Sequence, residues 1–218
     1  MSATLYAIGT GPGDPELLTI KAIKTLKNVD VIACPAKDGN AGTAFSTAKE
    51  ACPEITEKKI IPLEFPMKKE GLKEAHDNAA EQIIKLLQNG NDVAFLTLGD
   101  PGFYSTFFYI AERIKSEGFP VEIISGIPSF CAVSAKLQLP IALGDEHVVI
   151  TSGKFLDFDG TQVILKAGGR LSELKERIKA AGKEAYLVEN CGMPDEKVYS
   201  GIDSIPDTAG YFSILIVR

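Results

Sequence analysis

The chain has 218 residues, 45% of them apolar and 24% charged, which is the balance of a globular protein with room for one large domain or two small ones. Its net charge of −6 offers no basic field to nucleic acid or anionic membrane, so neither is expected as a partner, and an acidic ligand would need a local cluster of Lys and Arg. No run of about 18 apolar residues is present to span a bilayer.

The opening MSATLYAIGTGPGD lacks a basic region followed by a long apolar run, so no secretion signal is expected. Cys34, Cys52, Cys131 and Cys191 lie far apart and form no C-x-x-C pair, which suits free thiols in a reducing cytoplasm.

In chain order, residues 5–8 read as a first strand ending in a glycine turn. A helix follows over 15–28, with Leu18, Ala22 and Leu26 at helical spacing. Strands are predicted at 29–33 and 60–63. Residues 70–88 form the strongest helix, with Leu72, Ala75, Ala79, Ile83, Leu86 and Leu87 on one face and Gly90 in the capping position. The run Lys68-Lys69-Glu70 reads as its solvated entrance. A buried strand at 93–98, a helix around Phe107, Phe108, Ala111 and Ile114, and a fifth strand at 121–124 complete a βαβ pattern.

Beyond it, strands are predicted at 148–151, 163–166, 185–188, 197–200 and 211–217, with a helix over 171–180. Gly126, Pro128, Pro140 and Gly144 interrupt the periodicity between the two halves. The expected architecture is α/β in two domains. Residues 1–126 carry a mostly parallel five-stranded sheet, residues 127–218 a mixed sheet, and a ligand cleft is expected between them.

Three segments carry the chemistry, each a glycine turn directly after a strand. The first is Gly9-Thr10-Gly11-Pro12-Gly13-Asp14. It departs from the dinucleotide fingerprint at Asp14, which holds the place of the third glycine, and Pro12 removes one N–H that a pyrophosphate would use. Asp14 also suits a cap for a helix starting near Pro15. The second is Gly99-Asp100-Pro101-Gly102-Phe103-Tyr104-Ser105-Thr106, where a carboxylate can meet a cation and Ser105 or Thr106 can cap a helix. The third is Ser125-Gly126-Ile127-Pro128-Ser129-Phe130, a turn that leads into a helix start. In a parallel sheet such loops line the ligand crevice.

These segments make the chain resemble the tetrapyrrole methylases, and among them the C20 methyltransferases acting on precorrin-2 or cobalt-factor II. GTGPGDPELLT at 9–19 resembles the family's opening signature, GDPGFYST at 99–106 its second, and SGIPSF at 125–130 its third, where Ser125 and Pro128 depart from the usual P-G-[IV]-[ST]-[AS]. VILKAGG, VENCGMPDEKVY and YFSILIV are similar to strands of the family's second domain, so the resemblance spans essentially the whole chain.

The resemblance implies S-adenosylmethionine as methyl donor, methylation of C20 of the reduced ring in cobalamin biosynthesis, and a homodimer. It implies donor contacts at Pro12, Leu98, Gly99, Asp100, Phe103, Ser129 and Phe130, and further ones at Lys166, Ala167, Cys191 and Tyr211. Any metal would belong to the substrate and none to the protein.

Lys154, Lys166 and Arg170 follow second-domain strands and are candidates for substrate carboxylates. Arg113 sits deep in a packing helix and is a poorer one. Asp100, Tyr104, Glu189 and water are the candidate general bases. His76, beside Lys73, Glu74 and Asp77, reads as a solvated surface residue; His147 has no second ligand at metal spacing. The alternatives are a sibling methylase acting at another ring carbon, on a diphthine precursor or on ribosomal RNA, and, from another class, a non-catalytic nucleotide-binding module. A dinucleotide oxidoreductase is disfavoured by the broken fingerprint.

Overall fold

A computed structural model describes residues 2–37, 39–66 and 70–218, so Lys68 and Lys69 of the expected helix entrance lie outside the described residues. The chain divides into two compact units, Met1–Pro128 and Ser129–Arg218.

In the first unit the order is β1 (Leu5–Gly9), α1 (Ile20–Asn28), β2 (Val31–Lys37), β3 (Asn40–Ala41), α2 (Thr43–Ala51), β4 (Lys59–Glu64), α3 (Leu72–Gln88), β5 (Val93–Thr97), α4 (Phe107–Ser116) and β6 (Val121–Ile124). β5 lies between β1 and β2; β6 joins the far side of β1, and β4 pairs with β2, all in parallel. Only the two-residue β3, which the periodicity did not reveal, runs antiparallel against β2.

All five residues of β5 are buried, as expected for a central parallel strand with both faces covered. Alternation along the strands sends Leu5, Ala7, Val93 and Phe95 toward α3 and α4, and Ile8, Ala94 and Leu96 toward α1 and α2. Truncating the fully buried Phe95 would cost about 3–5 kcal/mol. The Thr19 hydroxyl caps α1 by accepting from Ala22 N–H at 3.1 Å.

The second unit holds α5 (Ser129–Leu137), β7 (Val148–Ser152), β8 (Thr161–Leu165), α6 (Leu171–Ala180), β9 (Ala185–Glu189), β10 (Lys197–Ser200) and β11 (Ser213–Val217). Its sheet runs β10-β9-β11-β8-β7, parallel at β7–β8 and antiparallel elsewhere. On one face α6 packs Leu171, Leu174 and Ile178 against Ile164, Leu187 and Leu215. On the other, α5 packs Phe130 and Val133 against Val163, Val188 and Ile216. Among the described residues no helix is long and apolar enough to cross a membrane.

Candidate active site

The three glycine loops of the first unit leave the carboxyl ends of β1, β5 and β6, which are neighbours in the order β5-β1-β6. The first and second are knitted to each other by main-chain bonds. Thr10 N–H donates to Thr97 O at 2.9 Å, and Gly11 and Gly99 exchange a reciprocal pair of 3.2 and 2.6 Å. Glycine is required there for a reason other than ligand approach. A Cβ on Gly126 would stand 2.3 Å from Gly99 O, and one on Gly9 would stand 2.5 Å from Gly126 N and 2.7 Å from Gly99 O. Three backbones occupy the space that side chains would fill.

Asp100 ties the second loop to the third. Its Oδ1 accepts from Gly102 N–H at 2.7 Å and its Oδ2 from Gly126 N–H at 3.0 Å. Asp14 caps the short 3₁₀ turn Pro15–Leu17 by accepting from Glu16 N–H at 2.9 Å. Ser105, rather than Thr106, caps α4: its Oγ accepts from Phe107 N–H at 3.1 Å. Pro12 and Gly99 are buried and Leu98 is half-buried, whereas Phe103 and Tyr104 expose 42% and 53% of their surface. Tyr104 takes a left-handed backbone, φ 49°.

In the second unit the strand directions gather most of the predicted residues at one end of the sheet. Lys154 follows β7, Lys166 and Ala167 follow β8, Cys191 follows β9, and Tyr211 precedes the antiparallel β11. Lys166 Nζ lies 5.4 Å from the centre of the Tyr211 ring, and Lys166 holds φ 55°. Arg170 Nη1 donates to Gly153 O at 3.4 Å. Ala167 is buried and donates its N–H to Ser213 O at 3.0 Å.

Ser129 opens α5 and is half-buried. Phe130 and Cys191 both pack into the core beneath α5. Glu189 is buried at the end of β9. A residue the sequence reading overlooked is Gln162. It is 1% exposed and bonds Thr151 Oγ1, Lys154 O and Leu156 N–H, which holds the Lys154 loop in place. A polar side chain inside an otherwise apolar strand was the available signal.

One surface expectation needs correction. His76 is half-buried rather than a solvated surface residue: its ring stacks on Tyr109 at 4.8 Å and 5° and tilts against Phe65 at 5.7 Å. Its Nε2 is buried without a hydrogen-bond partner among the described residues. Burial lowers its pKa from the ordinary histidine value, with Asp77 opposing. Lys73 and Glu74 are exposed, while the His76 ring turns against Tyr109 of α4. Arg113 does more than pack: it bridges α4 to α3 through Asp77 at 2.8 Å and Glu81 at 3.0 Å.

Burial pushes the Cys34 thiol up to about 11. None of the four cysteines is joined in a disulfide. Among the described residues no three His, Cys, Asp or Glu side chains are grouped to hold a metal.

A family model described as Tetrapyrrole (Corrin/Porphyrin) Methylases matches residues 4–203. A protein of Methanocaldococcus jannaschii described as a probable cobalt-precorrin-2 C(20)-methyltransferase is 36% identical, the match covering 98% of this chain and 95% of the relative. The precorrin-2 C(20)-methyltransferase of a Sinorhizobium species is 31% identical over 98% of this chain and 94% of its own length. Among solved structures, a uroporphyrin-III-C-methyltransferase from Thermus thermophilus superposes with a TM-score of 0.74 at 25% identity, covering 100% of this chain and 92% of that one.

Proposed function

The chain belongs to the tetrapyrrole methylases, and from that premise we propose that it is an S-adenosylmethionine-dependent methyltransferase acting on C20 of a precorrin-2-type ring in cobalamin biosynthesis. The observation that carries the reading is likeness along whole lengths: two relatives named for C20 methylation match 98% of this chain at 36% and 31% identity. One is named for the cobalt-bearing ring and the other for precorrin-2, so both rings belong in the assay.

The residues fit the donor in chemical type. Exposed aromatic surface at Phe103 and Tyr104 suits an adenine base, and the Asp100 carboxylate suits a cationic amino-acid end. We assign donor contacts to Pro12, Leu98, Gly99, Asp100 and Phe103 of the first unit and to Ser129, Phe130, Lys166, Ala167, Cys191 and Tyr211 of the second. When bound, the donor supplies an electrophilic methyl group on a sulfonium.

The chain's own contribution is positional, because in-line displacement gains most of its rate from holding nucleophile and methyl carbon in register. Main-chain bonds between the Gly9 and Gly99 loops, the Asp100 bond to Gly126 N–H and the close backbone packing of the three supply that rigidity. Methylated C20 must then lose its proton. Both oxygens of Asp100 and both of Glu189 already accept hydrogen bonds, which favours water as the acceptor over either carboxylate. Lys154, Lys166 and Arg170 are assigned to the ring's acidic arms. We also place the protein in the cytoplasm as a homodimer. Light scattering should report twice the 23.4 kDa chain mass.

The test is to incubate the protein with methyl-labelled donor and each ring and to locate the label by carbon NMR. Label at C20 supports the reading. Label at another carbon makes the protein a sibling methylase, and no transfer to either ring refutes the proposal.

A further inference from the structure

At the end of β9 a carboxylate is buried on neutral partners. Glu189 is 6% exposed. Its Oε2 accepts from Gly210 N–H and its Oε1 from the Tyr199 hydroxyl, each at 3.2 Å. Burial near that carboxylate raises the Tyr199 pKa, so the phenol stays a donor. Among the described residues no cation pairs with it; burying such a carboxylate opposes folding, and glutamine would fill the same volume at less cost. A demand other than bulk stability must keep the charge there.

The demand is visible in what the carboxylate holds. Residues 209–212 form the turn into β11. Ala209 N–H donates to Gly168 O at 3.2 Å, Ser213 Oγ donates to Gly210 O at 2.6 Å, and Phe212 O accepts from Asn190 N–H at 2.9 Å. Glu189 takes the Gly210 N–H, and so fixes the residue directly before Tyr211. The turn presses close on its neighbour, for a Cβ on Gly168 would lie 2.0 Å from Gly210 O. Tyr211 itself is 49% exposed.

We infer that Glu189 is a positioning residue. By spanning Gly210 N–H and the Tyr199 hydroxyl it sets the 209–212 turn, aims Tyr211 and its main chain at the methyl donor, and takes no part in removing the C20 proton. The inference rests on the donor site proposed above. A general base must reach the substrate proton; this carboxylate is 6% exposed, with each oxygen engaged by a protein donor.

The test uses the full chain and S-adenosylhomocysteine. Calorimetry should give Glu189→Ala about tenfold weaker binding than wild type, the size expected for losing a buried charge-assisted bond. Glu189→Gln should restore affinity and kcat to within about threefold, since its amide can accept from Gly210 and donate to the Tyr199 oxygen. The pH–rate profile of Glu189→Gln should keep the wild-type shape.

Hydrogen exchange of the peptide covering 205–213 should accelerate in Glu189→Ala without any ligand. Should that variant not fold, Tyr199→Phe should accelerate exchange of the same peptide. Unaltered exchange in the tested variant overturns the inference. So does a Glu189→Gln enzyme that binds normally but loses about a hundredfold in kcat, which would mark a general base. Failure of wild type to bind S-adenosylhomocysteine would refute the donor site, while the exchange experiment would still judge the turn.

Discussion

Gly126 and Gly99 meet main chain to main chain: a Cβ added at Gly126 would lie 2.3 Å from the Gly99 carbonyl oxygen. No rotamer relieves that overlap, because both partners are backbone. Gly126→Ala should therefore destabilise the protein by about 3 kcal/mol or more, at the upper end of overpacking costs. Gly169→Ala, where the new methyl meets nothing within 4 Å, is the matched control and should stay within about 0.5 kcal/mol. Urea melts that place the two variants together would remove backbone contact as the reason for glycine at 126.

The Asp100 carboxylate joins Gly102 to Gly126, and so makes two loops move as one. Asp100→Ala should lower stability by about 1–2 kcal/mol, less than for a deeply buried acceptor because the site is half open. It should also weaken S-adenosylhomocysteine binding. Asp100→Asn keeps one good acceptor and should fall between. Calorimetry that finds the Ala variant binding as tightly as wild type would take Asp100 out of both roles.

His76 gives stability a dependence on acid. Its native pKa lies below the ordinary 6.5 because burial disfavours the cation, outweighing the attraction of Asp77. As pH falls below 6.5 the unfolded chain takes up the proton first, so unfolding binds protons and native stability declines with pH until the native pKa is passed. The contribution is intact above that range. His76→Phe keeps an aromatic ring against Tyr109 and removes the titration. Its urea midpoint should fall less than that of wild type between neutral pH and about pH 5.5. Equal declines would assign the acid sensitivity elsewhere.

How much of this was legible depended on the strength of the local signal. The helix Leu171–Ala180 and the strands Val121–Ile124 and Lys197–Ser200 begin and end where periodicity and flanking glycines place them. α2 escaped notice because its buried face is Ala44, Thr47 and Ala48, too small to make an apolar stripe, and Gly42 caps it without a side-chain bond. The start of α5 was legible in the third glycine turn, which leads into a helix, while its extent lay inside the stretch read as a boundary; Pro128 stands directly before it, compatible with a helix start. β2 starts at Val31 because Val29 still serves α1, donating its N–H to Thr25 O at 3.1 Å.

In the candidate site the glycines stood out for their density, yet the close approach they serve at Gly9, Gly99 and Gly126 is to one another. The environment of His76 was invisible because Tyr109 and Phe65 reach it from other elements. The left-handed backbones of Tyr104, Lys166 and Asn190 gave no sign either, since none is a residue type that demands such a conformation as glycine does.

Lys166 combines that backbone with exposure, and the combination yields the sharpest test of the substrate assignment. A non-glycine residue at φ 55° is strained, by roughly 1 kcal/mol. Lys166→Gly removes the strain and the charge together, so the variant should be as stable as wild type or more so. If Lys166 and Arg170 hold carboxylate arms of the ring, Lys166→Gly combined with Arg170→Ala should raise the KM for the tetrapyrrole while S-adenosylhomocysteine affinity changes little. Exposed ion pairs contribute about 0.2–1 kcal/mol each, so the double variant should shift KM by no more than about tenfold to thirtyfold. A chain of net charge −6 repels an acidic ring at long range, and salt screens this beyond about 10 Å at 0.1 M. Added salt should therefore narrow the gap between wild type and variant as the short pairs weaken. A double variant that is stabilised but methylates both rings with unchanged KM would show that the acidic arms are held elsewhere.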